Sequence, residues 1–213
     1  MKKNKVIVSC DADPLLISYL EDMGADFEIY SSDFSVDPAI KNHPDLVYVR
    51  LKDDILFKGD GNLLKPEYPG DVIYNGFSTG KYFIHDLRYT SRDLLEEVNK
   101  LGLITVNVKQ GYSGCSIVPV NEDSIITYDR GITEACGKAG MDVLLVESGH
   151  VSLPGFDTGF IGGASGKVGD KIIFNGDLSA HPDHMGITDF IKSKGLEPVF
   201  FASYPLRDIG SIV

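Results

Sequence analysis

The sequence predicts an α/β protein assembled from five copies of a ββαβ unit and closed into a ring by its C-terminal strand. Three observations carry this. First, a glycine repeatedly precedes an apolar strand: Gly24 before ADFEIY, Gly70 before DVIYNG, Gly102 before LITVNV, Gly140 before MDVLLV and Gly195 before LEPVFF. The residue after a helix often sits at positive φ, which glycine adopts without a Cβ penalty. Second, the middle strand of each unit runs into an aspartate, at Asp11, Asp60, Asp86, Asp129 and Asp177. Aspartate suits a strand-to-helix corner because its carboxylate accepts backbone N–H bonds. Third, the chain ends on the apolar run Ile209–Val213, whose backbone groups need a partner. The N-terminal unit, Lys5–Tyr30, lacks an outer first strand, and Ile209–Val213 is expected to supply it.

The template unit is Gly111–Ser148. Ser116–Val120 and Ser124–Tyr128 read as β-branched strands around the polar turn Asn121–Asp123, Thr133–Lys138 as a short helix stopped by Gly140, and Asp142–Val146 as a third buried strand. A unit this small cannot bury its own apolar faces, so it requires copies. In chain order, Lys5–Cys10 is a strand and Pro14–Met23 a helix capped by Asp13, with Leu15, Leu16, Tyr19, Leu20 and Met23 as its buried stripe. Phe27–Tyr30, Leu46–Leu51, Ile55–Lys58, Val72–Asn75 and Tyr82–His85 are strands, and the helix before Gly70 is degraded to KPEYP. Ser91–Leu101 is an amphipathic helix and Ile104–Val108 a buried strand. Gly159–Gly166 is a glycine-rich strand or bulge where backbone approaches closely. Lys171–Phe174, helix Pro182–Lys194 and strand Pro198–Phe201 complete the last unit.

The 213 residues are 43% hydrophobic, enough for a sizeable core, and no linker divides them, so residues 1–213 read as one domain. No apolar run reaches membrane-spanning length. MKKNKVIVSC has a basic tip but reads as a first strand, not a signal peptide. Cys10, Cys115 and Cys136 are too few for a disulfide framework and point to the reducing cytoplasm, with Cys10 and Cys136 expected in the core. The net charge of -11 disfavours nucleic acid and anionic membranes and leaves a cationic small molecule as a compatible partner. No cofactor is expected: GFIGGASG lacks the spacing of a dinucleotide fingerprint. No metal is expected either, since His181 and His184 lack a clear third ligand and Asp183 reads as a helix cap.

Five ββαβ units in a closed ring resemble the five-fold pseudosymmetric β/α-propeller of the pentein superfamily, the guanidine-modifying enzymes. The run VKQGYSGCS…DRGI…DVLLVESGHVSLPGFDTGFIGG is also similar to an uncharacterised family within that fold. QGYSGCSIVPV resembles the deiminase cysteine motif, and His43–Pro44–Asp45–Leu46 resembles the His-x-Asp motif that opens a strand. The resemblance implies Cys115 as nucleophile, His43 as general acid and base, and Asp45 as a grip on the guanidinium. It also implies that Asn75, Asp157, Asp208 and Arg207, near the starts of inward strands, line the pocket. The implied activity is hydrolysis or transfer of a guanidino or amidine group. Three positions depart from the pattern: Gly114 stands where those enzymes carry histidine, Ala164 follows Gly162–Gly163 where they carry an acid, and the cysteine motif is not C-terminal. These departures leave open a non-catalytic ligand-binding module on the same ring. Alternating strands and helices also leave open an ordinary doubly wound α/β protein.

Overall fold

The computed structural model describes residues 4–213; the basic tip Met1–Lys3 lies outside them. The chain is a mixed α/β protein of repeated small sheets. β1 (Val6–Ser9), α1 (Pro14–Asp22) and β2 (Phe27–Tyr30) form the first unit, and β3 (Tyr48–Lys52) with β4 (Ile55–Lys58) the second. β5 (Phe77–Ser78), β6 (Tyr82–His85), α2 (Arg92–Lys100) and β7 (Ile104–Asn107) form the third. The fourth holds α3 (Ser113–Ser116), β8 (Ile117–Asn121), β9 (Ser124–Thr127), α4 (Arg130–Lys138) and β10 (Asp142–Leu145). The fifth holds β11 (Ser165–Val168), β12 (Lys171–Phe174), α5 (His184–Ser193) and β13 (Glu197–Val199).

Units three, four and five share one topology: an antiparallel hairpin, a crossover helix, and a third strand parallel to the middle one. Parallel pairing needs such a crossover, because a tight turn can only reverse the chain. In the first unit β1 pairs parallel with β2. The second is only the antiparallel β3–β4 hairpin. Val72–Asn75, expected as a strand, is instead a turn, and the strand that follows is Phe77–Ser78. With no helix before it, Gly70 has no helix end to cap, and it is absent from the positive-φ glycines. Gly24, Gly102, Gly140 and Gly195 all have positive φ, as helix-ending glycines do.

The aspartate corners follow the same chemistry. Asp60, Asp129 and Asp177 accept from the N–H of Asn62, Ile132 and Ser179, and Asp86 from that of Arg88. Asp11 is the exception: Asp13 caps α1 through the Leu15 N–H. Asp183 does not cap α5; its carboxylate accepts from the Glu147 N–H instead.

The core lies between the sheets and their helices. Middle strands β1, β6, β9 and nearly all of β12 are buried, whereas the third strands are sheet edges with exposed residues. Ile104 is 51% exposed, so β7 is not the buried strand its composition suggests, and β10 is also largely open. In α1 only Leu16 and Leu20 are fully buried, while Leu15 is 49% exposed. Leu16 and Leu20 pack with Val6, Val8, Ile173, Ile209 and Ile212, each fully buried aliphatic chain contributing about 1.5–3 kcal/mol.

The C-terminus is irregular rather than a strand, but Val213 exchanges two backbone hydrogen bonds with Ile7, at 2.8 and 3.0 Å. Ile212 bridges to Gly166 of β11 on its other side. Among the described residues no helix is long and apolar enough to cross a membrane.

Five turns meet at the inner ends of the units: Pro44–Leu46, a 3-10 helix; the turn ending at Asn75; α3; the turn through Gly162–Gly163; and the Asp208–Ser211 segment. Hydrogen bonds join them in a closed circuit. Asn75 Nδ2 donates to the Asp45 carbonyl at 3.1 Å. Gly114 N–H donates to the Asn75 carbonyl, Gly163 N–H to the Cys115 carbonyl, Ile209 and Ser211 N–H to the Gly163 carbonyl, and Asp45 N–H to the Gly210 carbonyl. The circuit leaves no room for side chains at its glycines. A Cβ on Gly162 would lie 2.4 Å from the Cys115 carbonyl oxygen and 2.5 Å from Ile117 N.

Gly162→Ala is therefore expected to destabilise the protein by about 1–3 kcal/mol or more, because backbone cannot yield as a side chain does. Gly137→Ala, on α4 with nothing within 4 Å, is expected to stabilise it by about 0.4–1 kcal/mol. Urea denaturation midpoints of the two variants against the parent test this contrast.

Candidate active site

The circuit brings five polar side chains from four turns to one buried point. Pro44 starts the 3-10 turn with its fixed φ, leaving His43 as the capping residue before it and Asp45 on the turn itself. Asn75 closes the second turn, with its N–H bonded to the Val72 carbonyl. Cys115 stands on α3, one turn of helix before β8 rather than at the start of the strand itself. Asp208 opens the last turn. His43, Asp45 and Cys115 are each 3% exposed, Asn75 0% and Asp208 2%.

Cys115 Sγ donates to Asp45 Oδ2 at 3.0 Å, and Ser211 Oγ donates to the same oxygen at 2.7 Å. Asp45 Oδ1 is buried with no hydrogen-bond partner among the described residues. Asn75 holds the cysteine from both sides: its Oδ1 accepts from the Cys115 N–H at 3.3 Å and its Nδ2 approaches Sγ at 3.4 Å. Asp208 accepts from the Phe160 and Gly210 N–H groups and lies 3.8 Å from His43 Nδ1. Gly210 makes the His43 approach achievable, since a Cβ there would sit 2.1 Å from the His43 Cβ. One donor atom each of His43, Asp45 and Cys115 lies within 4.8 Å of the others. Nearby, Phe160 stacks on Tyr128 with ring centroids 5.6 Å apart and tilts against Tyr112 at 5.9 Å. Tyr112 donates to Asp71.

Burial and the two carboxylates set the charge state. Burial, then Asp45 and Asp208, push the Cys115 thiol well above its ordinary range, so the resting group is S–H. Burial also raises Asp208, with Asp45 adding to the shift and His43 opposing it. Three acidic groups thus face one imidazole, an arrangement that favours a cation.

Two expected lining residues lie elsewhere. Arg207 is exposed, because successive side chains along extended backbone point to opposite sides and Asp208 takes the inward one. Asp157 lies on the exposed stretch 154–157. Cys10, expected in the core, is exposed, while Cys136 is buried on α4; all three cysteines are free. The other buried histidines are structural. His85 bonds Thr90 Oγ1 and the Gly111 carbonyl, and burial pulls it down to about 4. His181 donates from Nε2 to the Glu147 carbonyl and accepts at Nδ1 from the Asp183 N–H. Ser211 has no mark in the sequence, because only the pairing of the C-terminus carries its hydroxyl to Asp45.

A thiol whose pKa is higher folded than unfolded binds its proton more tightly in the native state. Its contribution to stability is present below the unfolded thiol value of about 8.5 and is lost as pH rises toward the folded value. Cys115→Ala is expected to destabilise at pH 7, and the difference from the parent is expected to shrink above about pH 8.5 by up to about 1.4 kcal/mol per pH unit. Urea unfolding of both proteins at several pH values from 7 to about 10 checks the sign.

No curated protein matches the chain. Residues 56–213 match a family described as a family of unknown function, DUF6873. The matched segment contains Asn75, Cys115 and Asp208, while His43 and Asp45 precede it. With most of its length covered by that match, the chain belongs to the DUF6873 family.

Proposed function

We propose that this chain is a pentein-type β/α-propeller acting on a guanidino or amidine cation through a cysteine nucleophile. The observation that carries the reading is the convergence of His43, Asp45 and Cys115 within 4.8 Å, from turns far apart in sequence. Supporting it are three ββαβ units of one topology, the closed circuit of turns and the pairing of Val213 with Ile7.

In this reading a planar cation enters between Asp45 and Asp208, and its charge favours transfer of the Cys115 proton to His43. The thiolate attacks the amidinium carbon and forms a C–S bond. As the C–N bond breaks, His43 returns the proton to the departing amine. Water then attacks the same carbon while His43 accepts its proton, and the C–S bond breaks to regenerate the thiolate. The balance is one guanidino group and one water giving one ureido group and one amine or ammonia. An amine in place of water gives amidino transfer. Asn75 is a positioning residue that fixes Cys115 from its N–H and Sγ.

The raised, fully buried thiol of Cys115 favours a second reading: a non-catalytic ring that binds a small cation at the same carboxylates. Cys115→Ala separates the two, since binding of a guanidino compound survives in the second and turnover does not.

Incubation with an amidinium compound carrying an α-halide is expected to alkylate Cys115 with loss of halide, read by peptide mass spectrometry in the presence of a chelator. Asp45→Asn is expected to slow that labelling by at least about tenfold, because one buried charge pairing is worth more than about 1.4 kcal/mol. A neutral haloacetamide is expected to label the exposed Cys10 first. Amidine labelling confined to Cys10 or Cys136 sinks the enzyme reading.

A further inference from the structure

The donor atoms at the centre of the circuit match a second kind of cation. From their geometry we infer that His43, Asp45 and Cys115 form a binding site for a divalent transition metal of the zinc or cobalt type. Sulfur, imidazole nitrogen and carboxylate oxygen are the donors such ions take in tetrahedral sites, and three protein ligands leave the fourth position for water or another small ligand. With a metal–sulfur distance of about 2.3 Å and metal–nitrogen or –oxygen distances of about 2.0–2.2 Å, tetrahedral donors stand about 3.3–3.8 Å apart. Sγ to Asp45 Oδ2 is 3.0 Å, a few tenths shorter than that spacing, and all three donors lie within 4.8 Å of one another, so small side-chain shifts bring them to it.

A second observation is independent of the donor set. Asp45 Oδ1 is a buried carboxylate oxygen with no hydrogen-bond partner among the described residues. The two hydrogen bonds to Asp45 fall on Oδ2 and leave Oδ1 unsatisfied, and a cation bound at this carboxylate supplies the missing interaction. The surroundings match a metal site as well. Ser211 Oγ and Asn75 Nδ2 hydrogen-bond to Asp45 Oδ2 and Cys115 Sγ, and Asp208 stands beside the His43 ring as an outer carboxylate. Such outer partners fix ligand orientation. Metal entry replaces the proton on Cys115: the S–H bond breaks, a metal–thiolate bond forms, and one proton leaves to solvent for each ion bound. The inference does not rest on amidine chemistry, because it needs neither nucleophilic attack nor a planar substrate.

The test uses the full chain stripped with a chelator and titrated with Co²⁺. One equivalent is expected to bind, with a thiolate-to-cobalt charge-transfer band and release of a proton. Zn²⁺ is expected to displace it and abolish the band. Cys115→Ser is expected to lose the band, and the Cys10→Ser, Cys136→Ala double variant, in which Cys115 is the sole cysteine, to keep it. X-ray absorption of the zinc-loaded parent is expected to show one sulfur at about 2.3 Å with nitrogen or oxygen neighbours at about 2.0–2.1 Å. Failure of the parent to bind one equivalent, a band that persists in Cys115→Ser, or a sulfur-free shell overturns the inference. Should Cys115→Ser not fold, the double variant and the absorption spectrum of the parent decide between the same outcomes. Because amidine labelling is run with chelator and metal binding without amidine, either can fail while the other stands.

Discussion

The hydrogen-bonded circuit of five turns governs this molecule. Each turn satisfies its backbone groups with the next: Asp45 with Asn75, Asn75 with Gly114, Cys115 with Gly163, Gly163 with Ser211, and Gly210 with Asp45. A buried backbone group without such a partner costs as much as a lost hydrogen bond. The glycines at 162, 163 and 210 exist because the neighbouring turn or side chain occupies the volume a Cβ would need. The circuit also explains why the cluster is so buried. Its members project from short turns into the space the turns enclose, where no lysine or arginine side chain is bonded to Asp45 or Asp208 among the described residues.

That arrangement carries a cost. Isolated charges in a low-dielectric interior are expensive, and the group with the higher pKa stays neutral first. Cys115 does so by keeping its proton and lending it to Asp45. The cluster therefore holds an uncharged thiol, and the same features that raise the thiol make it responsive to an arriving positive charge. A guanidinium and a metal ion are two versions of that charge, distinguished by shape: one is planar and grips carboxylates side by side, the other is a point that draws its ligands inward.

Much of the fold was legible because its local signals are strong. Helix-ending glycines act within a few residues, so the expected limits of α1, α2 and α5 lie within two residues of the observed ones, while α4 starts at Arg130 rather than the expected Thr133, behind the Asp129 cap. Exposure was less legible. Ile104 and Leu145 are as apolar as their buried counterparts, yet β7 and β10 are edges, and composition does not distinguish an edge from a centre. Val72–Asn75 misled for a related reason: the apolar run Val72–Tyr74 reads as strand, but the Val72 carbonyl accepts from Asn75 N–H within a turn. Of the site residues, Cys115, His43, Asp45, Asn75 and Asp208 came together while Asp157 and Arg207 did not. Choosing between Arg207 and Asp208 needs the local backbone direction, which adjacent residues in a sequence do not reveal. Ser211 was invisible for the opposite reason, since its role depends entirely on a contact between the two ends of the chain.

The pairing of Val213 with Ile7 has a topological consequence. In a circuit that runs turn to turn and returns to its start, the order of units is defined only up to rotation. Joining the two paired ends and opening the chain at an exposed loop therefore leaves every neighbour relation of the circuit intact, so the connectivity can be rotated while the contacts stay the same.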